Sequence, residues 1–164
     1  LASISAPGMF SELVMVGPSP RYVDDDDDDY KGGFSHEQVE ELLGFLAENQ
    51  LGWSAAMAPA IMGNPDRPEL SERLENSFCA TDPDIAAEFA RTTFFSDNRQ
   101  DLAKVVARTL VLQCKEDIIA GQAVGEYVHA NIPGSEYVLL DASGHCPNLS
   151  APAQVATAIR AFVR

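Results

Sequence analysis

TLVLQCKEDIIAGQAVGEYVHANIPGSEYVLL, residues 109–140, decides the fold. It opens with TLVLQC (109–114), a short apolar run of the kind that makes a buried strand. It closes with EYVLL (136–140), a weaker run of the same type. Between them Val124, Tyr127 and Val128 recur at helical spacing over about Gln122 to Asn131, and Pro133-Gly134 stops that helix. Strand, helix, strand is the grammar of parallel strands joined by a crossover helix. Downstream, a last helix from about Pro152 carries Val155, Ile159 and Phe162 on one face. Upstream, ELVMVG (12–17) ends on the turn signals of GPSP and reads as another buried strand. The expected class is α/β, with about three parallel strands and flanking helices.

The stretch from about Gly33 to Val105 breaks that grammar. Ser35 opens a capping box with Gln38, Phe34 and Val39 are placed for a hydrophobic staple, and Val39, Leu42, Leu43 and Leu46 share a helical face. A second helix holds Trp53, Met57 and Ile61, with Pro59 predicting a kink or a late start. Leu70, Leu74 and Phe78 mark a third helix, and Asp82-Pro83 caps a fourth that contains Ile85, Phe89 and Phe94. Four helices between two strands of one sheet imply an inserted helical lid. The expected organisation is a core strand and loop over 1–32, a lid over 33–105, and the C-terminal part of the core over 106–164.

With 46% hydrophobic and 22% charged residues, the 164-residue chain has the composition of one globular unit, neither disordered nor fibrous. No internal repeat is visible. Against 11 basic side chains stand 25 acidic ones, for a net charge of −14, and six of the acids form the run Asp24 to Asp29. Such a field repels phosphate backbones and argues against general nucleic-acid binding. The Asp run lacks the spacers and Gly of a calcium loop and reads as a solvated loop. No apolar run reaches the roughly 20 residues of a membrane span, and nothing at the start reads as a signal peptide. Cys79, Cys114 and Cys146 form no close pair and suit neither a disulfide framework nor a zinc site, which points to a cytoplasmic location. The chain opens on Leu1, and LASISAPGMF carries no N-cap and no turn of its own, so a fragment or trimmed product is expected.

Chemistry in an open α/β sheet gathers at the carboxyl ends of strands. Asp117 lies three residues beyond Cys114, and His145 five residues beyond Leu140 with a glycine before it. Singly, Asp117 reads as well as a helix-capping loop carboxylate, and His145 as a polar loop residue. Jointly they have the order of the last two members of a Ser…Asp…His triad, in which the acid orients the histidine and the histidine serves as general base. His36 and His129 read as solvent-facing. Trp53, Met57, Phe94 and Phe95 are candidates for the wall of a substrate pocket, or simply core. Cys146 adjoins His145, but neighbours on an extended chain point apart, so its sulfur is poorly placed to use that imidazole.

Taken with LVMVGPSPRY (13–22), GGF (32–34), Gly52-Trp53, RPEL (67–70), FCATDPDIA (78–86), FFSDNRQDL (94–102), LQCKEDIIA (112–120) and GHCPNLSAP (144–152), the chain resembles the α/β-hydrolase superfamily. Within it the resemblance is to the branch of the bacterial hydrolase that regulates the general-stress sigma factor and of the plant strigolactone and karrikin receptors. It spans essentially the whole chain. It implies that Asp117 is the triad acid and His145 the triad base, and that a four-helix, V-shaped lid covers an apolar pocket. It also implies a nucleophilic Ser in G-x-S-x-G, and here the chain departs: Ser19, Ser54 and Ser143 all lie outside such a motif. The leading expectation is thus part of a lid-bearing serine hydrolase acting on a small apolar ester or similar acyl compound, with no metal or organic cofactor required. The alternative is a ligand-responsive signalling module that binds a protein partner through its lid.

Overall fold

The computed structural model describes residues 1–163. In chain order it runs α1 (Ala2–Ser5), β1 (Glu12–Val16), α2 (His36–Glu48), α3 (Gln50–Met62), α4 (Pro68–Cys79) and α5 (Pro83–Phe95). A 3-10 stretch, Arg99–Lys104, then leads to β2 (Arg108–Glu116), α6 (Gln122–Asn131), β3 (Glu136–Ser143), α7 (Pro147–Ser150) and α8 (Pro152–Phe162). The strands form one parallel sheet in the order β1-β2-β3, with Val14 opposite Leu110 and Leu112 opposite Val138.

The middle strand is buried without a break from Thr109 to Cys114, because successive side chains enter cores on both faces. Val111 packs with Leu102, Val105, Val128 of α6 and Ile132 just after it. Leu110 and Leu112 face the other way, onto Leu140 and the α8 residues Val155 and Phe162. At the edge, Val14 and Val16 of β1 stay exposed.

Four helices stand between β1 and β2. Ser35 closes the expected capping box: its Oγ accepts from Gln38 N, and Gln38 Oε1 accepts from Ser35 N. Asp82 caps α5 by accepting from Asp84 N and Ile85 N. α3 starts at Gln50 and runs through Pro59, so the late start predicted there is not found. The proline forfeits one backbone hydrogen bond, and Gly63 ends the helix in the left-handed region at φ 62°, its N–H on the Pro59 carbonyl.

Three further expectations are corrected. Residues 2–5 do form a turn of their own, the short α1, with the Ser5 N–H on the Leu1 carbonyl. β3 continues three residues past Leu140, because β2 also runs on and, after an irregularity between Cys114 and Glu116, pairs Glu116 with Ser143. The Asp run is solvated only in part. Asp25 pairs with Arg21 and Arg99, Asp28 with Arg99, and Asp24 Oδ1 accepts from Gly33 N, while a bridge between Asp25 and Tyr30 closes the loop. Arg99 also stacks over the Tyr30 ring at 4.9 Å. Among the described residues no helix is long and apolar enough to cross a membrane.

Candidate active site

Three strand ends converge at one point. β2 delivers Asp117, whose Oδ1 accepts from Ile119 N at 2.8 Å and Ala120 N at 3.1 Å. Its Oδ2 lies 2.8 Å from Nδ1 of His145, which follows β3. The carboxylate oxygen accepts, so Nδ1 carries the hydrogen and Nε2 is the ring nitrogen left to act on a ligand. One oxygen thus ties the loop ahead of α6, which has no side-chain cap, and the other holds the histidine. The Asp117 side chain is 1% exposed and that of His145 is 23% exposed, so the acid is sheltered while the imidazole can be reached.

β1 supplies the third end, Gly17. It has φ 55°, and a Cβ there would come 3.1 Å from His145 Cε1 and 3.4 Å from Asp117 Oδ2. Glycine meets both demands at once, and the pair sits against bare backbone.

His145 is also held by its own main chain. Gly144, at φ 86°, donates from N to the Glu116 carbonyl at 2.7 Å, and His145 N donates to the Ile61 carbonyl at 2.8 Å. A Cβ on Gly144 would overlap the Met62 carbonyl. Asn64 Nδ2 adds a bond to the Ser143 carbonyl at 3.0 Å. The C-terminal end of α3 is thereby stitched to the histidine loop by the Ile61 carbonyl and by the Asn64 side chain just beyond the helix. On the acid's side Gln113, fully buried in β2, donates from Nε2 to the Ala120 carbonyl at 2.8 Å and steadies the loop that carries Asp117.

Beside His145 lies a cavity of about 300 Å³. Trp53, Met57 and Phe94 line it together with His145, while Tyr22 and Ile119 complete the wall nearest the sheet. Phe95 is not part of that wall. Successive helical residues point about 100° apart, so with Phe94 inward its neighbour instead meets His36, ring centroids 4.9 Å apart, under the Arg91 guanidinium. Tyr22 packs on Phe94 at 4.9 Å, and burial, with the nearby Asp117 charge, pushes its phenol further up, so it remains a hydrogen-bond donor at neutral pH.

Cys146 also lines the cavity, but burial and then the Asp117 charge raise its thiol, which opposes the thiolate a nucleophile needs. His36 is exposed, whereas His129 is only partly so, bonded through Nδ1 to Ser135 Oγ at 2.8 Å. Among the described residues no group of three or more His, Cys, Asp or Glu is placed to hold a metal ion.

Gly17, Tyr22, Gln113 and the backbone seam at Gly144 escape sequence reasoning. A lone glutamine inside TLVLQC and a tyrosine soon after a strand end are the available signals, and both are weak. The arrangement itself is clear in chemical terms: a sheltered carboxylate, an imidazole oriented by it, and an apolar chamber beside the imidazole. It can accept and return a proton at Nε2.

A model of the alpha/beta hydrolase family matches residues 2–158. A strigolactone esterase of Arabidopsis thaliana is 35% identical over 161 residues, which are 98% of this chain and 59% of the relative. A karrikin insensitive 2 receptor of Petunia hybrida is 34% identical over 93% of this chain and 55% of its own length. The structure of a hydrolase from Oleispira antarctica superposes with a TM-score of 0.94 at 36% identity, covering 99% of this chain and 59% of that one. The chain thus spans a little over half the length of these relatives.

Proposed function

The chain belongs to the alpha/beta hydrolase family, and from that premise we propose that it is the C-terminal part of a lid-bearing serine hydrolase of small apolar carboxylic esters or similar acyl compounds. The observation that carries the reading is the 2.8 Å contact of His145 Nδ1 with Asp117 Oδ2 beside an apolar cavity. Residues 1–32 and 106–164 belong to the catalytic core, and 33–105 are the lid, whose Trp53, Met57 and Phe94 help to wall the substrate site.

No serine of this chain lies in G-x-S-x-G, so the nucleophile comes from a segment outside these residues. Its hydroxyl attacks the acyl carbon while His145 Nε2 takes the proton. Asp117 keeps the Nδ1–H tautomer in place and stabilises the imidazolium that forms. His145 returns the proton to the leaving alcohol, and water then releases the acid by the same route. Burial of Asp117 strengthens its hold on the ring, since little solvent competes for the bond.

In the complete protein, p-nitrophenyl acetate and butyrate should turn over, and His145→Ala should lower kcat by about 100-fold or more without displacing the fold. Turnover that survives His145→Ala would sink the proposal.

A second reading is supported by the exposed apolar side chains of α5, Ile85 and Phe89. Here the same chain is a ligand-responsive signalling module whose lid binds a protein. A pull-down weakened by Ile85→Ser but indifferent to His145→Ala would favour it.

A further inference from the structure

The four helices enclose a second cavity, of about 470 Å³, lined only by residues between Leu46 and Ala90. No strand-end residue reaches it; α2, α3, α4 and α5, with Thr81 in the loop before α5, form it. Trp53, Phe78, Phe89 and Ala90 line both this cavity and the one beside His145. The partition between them is therefore made of side chains. Its largest members, Trp53 and Phe78, meet edge to face with ring centroids 5.3 Å apart, and rotamer changes in such rings are far easier than movement of a helix. On the outer side the rim carries Ile85 and Phe89, both well exposed, so an apolar molecule meets an apolar entrance.

Two polar atoms among these residues have no hydrogen-bond partner although they are buried, Trp53 Nε1 and Ser54 Oγ. Neighbouring Gln50 donates from Nε2 to the Phe78 and Thr81 carbonyls and makes no bond to either atom. Unpartnered buried donors are uncommon; as the partition stands both are shut off from the cavity space, and turning the Trp53 ring off Phe78 would let its N–H donate to an oxygen there. The cavity at His145, about 300 Å³, lies at the lower end of ligand sites, which span about 300–1,000 Å³, whereas the two combined fall inside that range.

We propose that the two cavities are compartments of one site: the inner holds the reacting ester at His145, and the outer takes the far end of an extended apolar chain bearing an oxygen acceptor. The inference rests on the reading of the inner cavity as a substrate site and narrows the substrate from a small ester to an elongated one.

Trp53 is the sole tryptophan, so intrinsic fluorescence reports on the shared partition directly. The chain is titrated with methyl butanoate, methyl octanoate and dimethyl octanedioate. Affinity should rise with length, by up to about fourfold per added methylene, so that methyl octanoate binds about tenfold or more tighter than methyl butanoate. Dimethyl octanedioate, with its distal carbonyl, should bind at least as tightly as methyl octanoate. Ala86→Phe fills the outer compartment alone and should abolish the gain while leaving methyl butanoate unchanged. Thr93→Phe intrudes only on the inner one and should weaken all three esters. Ser77→Leu provides a second filling of the outer compartment should Ala86→Phe fail to fold. A gain with length that persists in the outer-filling variants overturns the bipartite site but leaves the inner one standing. Indifference of all three esters to Thr93→Phe, or no binding at all, overturns both.

Discussion

The sheet and the helices α4 and α5 of this chain are built on different terms. β2 buries Thr109 to Cys114 in unbroken succession, whereas α5, a longer element, has no buried residue and α4 has only Leu70. The sheet spends its apolar side chains on packing against α6 and α8. With α3, these helices spend Trp53, Phe78 and Phe89 on the walls of cavities. Such a difference separates two tasks: a dense lattice holds Asp117 and His145 to a fixed distance, and a looser layer leaves room beside them. The regions meet at the seam where α3 hydrogen-bonds to the histidine loop.

Breaking that seam should have the largest effect. Gly144→Val places a β-branched residue at φ 86° against the Met62 carbonyl. We expect a loss of about 3 kcal/mol or more, with displacement of His145, read by thermal unfolding and by the imidazole resonances in NMR. Retained stability would mean that the histidine loop is not held by α3.

Next comes the dense side of the comparison. Leu112→Ala opens a void in a fully buried position and should cost about 2–5 kcal/mol in chemical denaturation. A cost below about 1 kcal/mol would show that the sheet is packed no better than the helices.

Arg99→Ala probes the clamp between the acidic loop and the 3-10 stretch and should lower Tm by about 2–4 °C at pH 7. The Arg99 hydrogen bond holds the Asp97 carboxyl far below the usual carboxylate range and also lowers Asp25. Because these folded-state values are depressed, the contribution is present above the ordinary carboxylate pKa, about 4, and fades as pH falls below it. The gap in Tm between the parent and Arg99→Ala should therefore narrow on acidification. A gap that is constant from pH 7 to pH 3 would assign the effect to packing on Tyr30.

The smallest change is expected on the loose side. Ile85→Ser, at a position 65% exposed, should leave stability within about 0.5 kcal/mol in the same denaturation experiment. A larger loss would show that the outer helix face is packed more firmly than its exposure implies.

Much of the fold was legible because its signals are local. Apolar runs marked all three strands, and the capping pairs Ser35–Gln38 and Asp82-Pro83 marked the starts of α2 and α5. The pairing of Asp117 with His145 followed from position alone, since parallel neighbours bring the ends of β2 and β3 together. Phe95 shows the limit of residue type as a guide: an aromatic beside Phe94 is chemically suited to a pocket, yet the helix turns it away. The extra length of β3 was hidden because Asp141 is polar and its place in the sheet depends on the irregular end of β2.

By itself the sequence determined the α/β alternation and the starts of α2 and α5, which rest on neighbours within a few positions along the chain, and it placed Asp117 and His145 at the ends of adjacent strands. Tertiary structure alone decided the site's support and its volume. Asn64 meets Ser143 across 79 positions and Arg99 meets Asp25 across 74, while Gly17 becomes indispensable only once two other strand ends close on it. Contacts at such separations leave no periodicity in the chain, because they are set by how whole elements pack and not by any repeat within one.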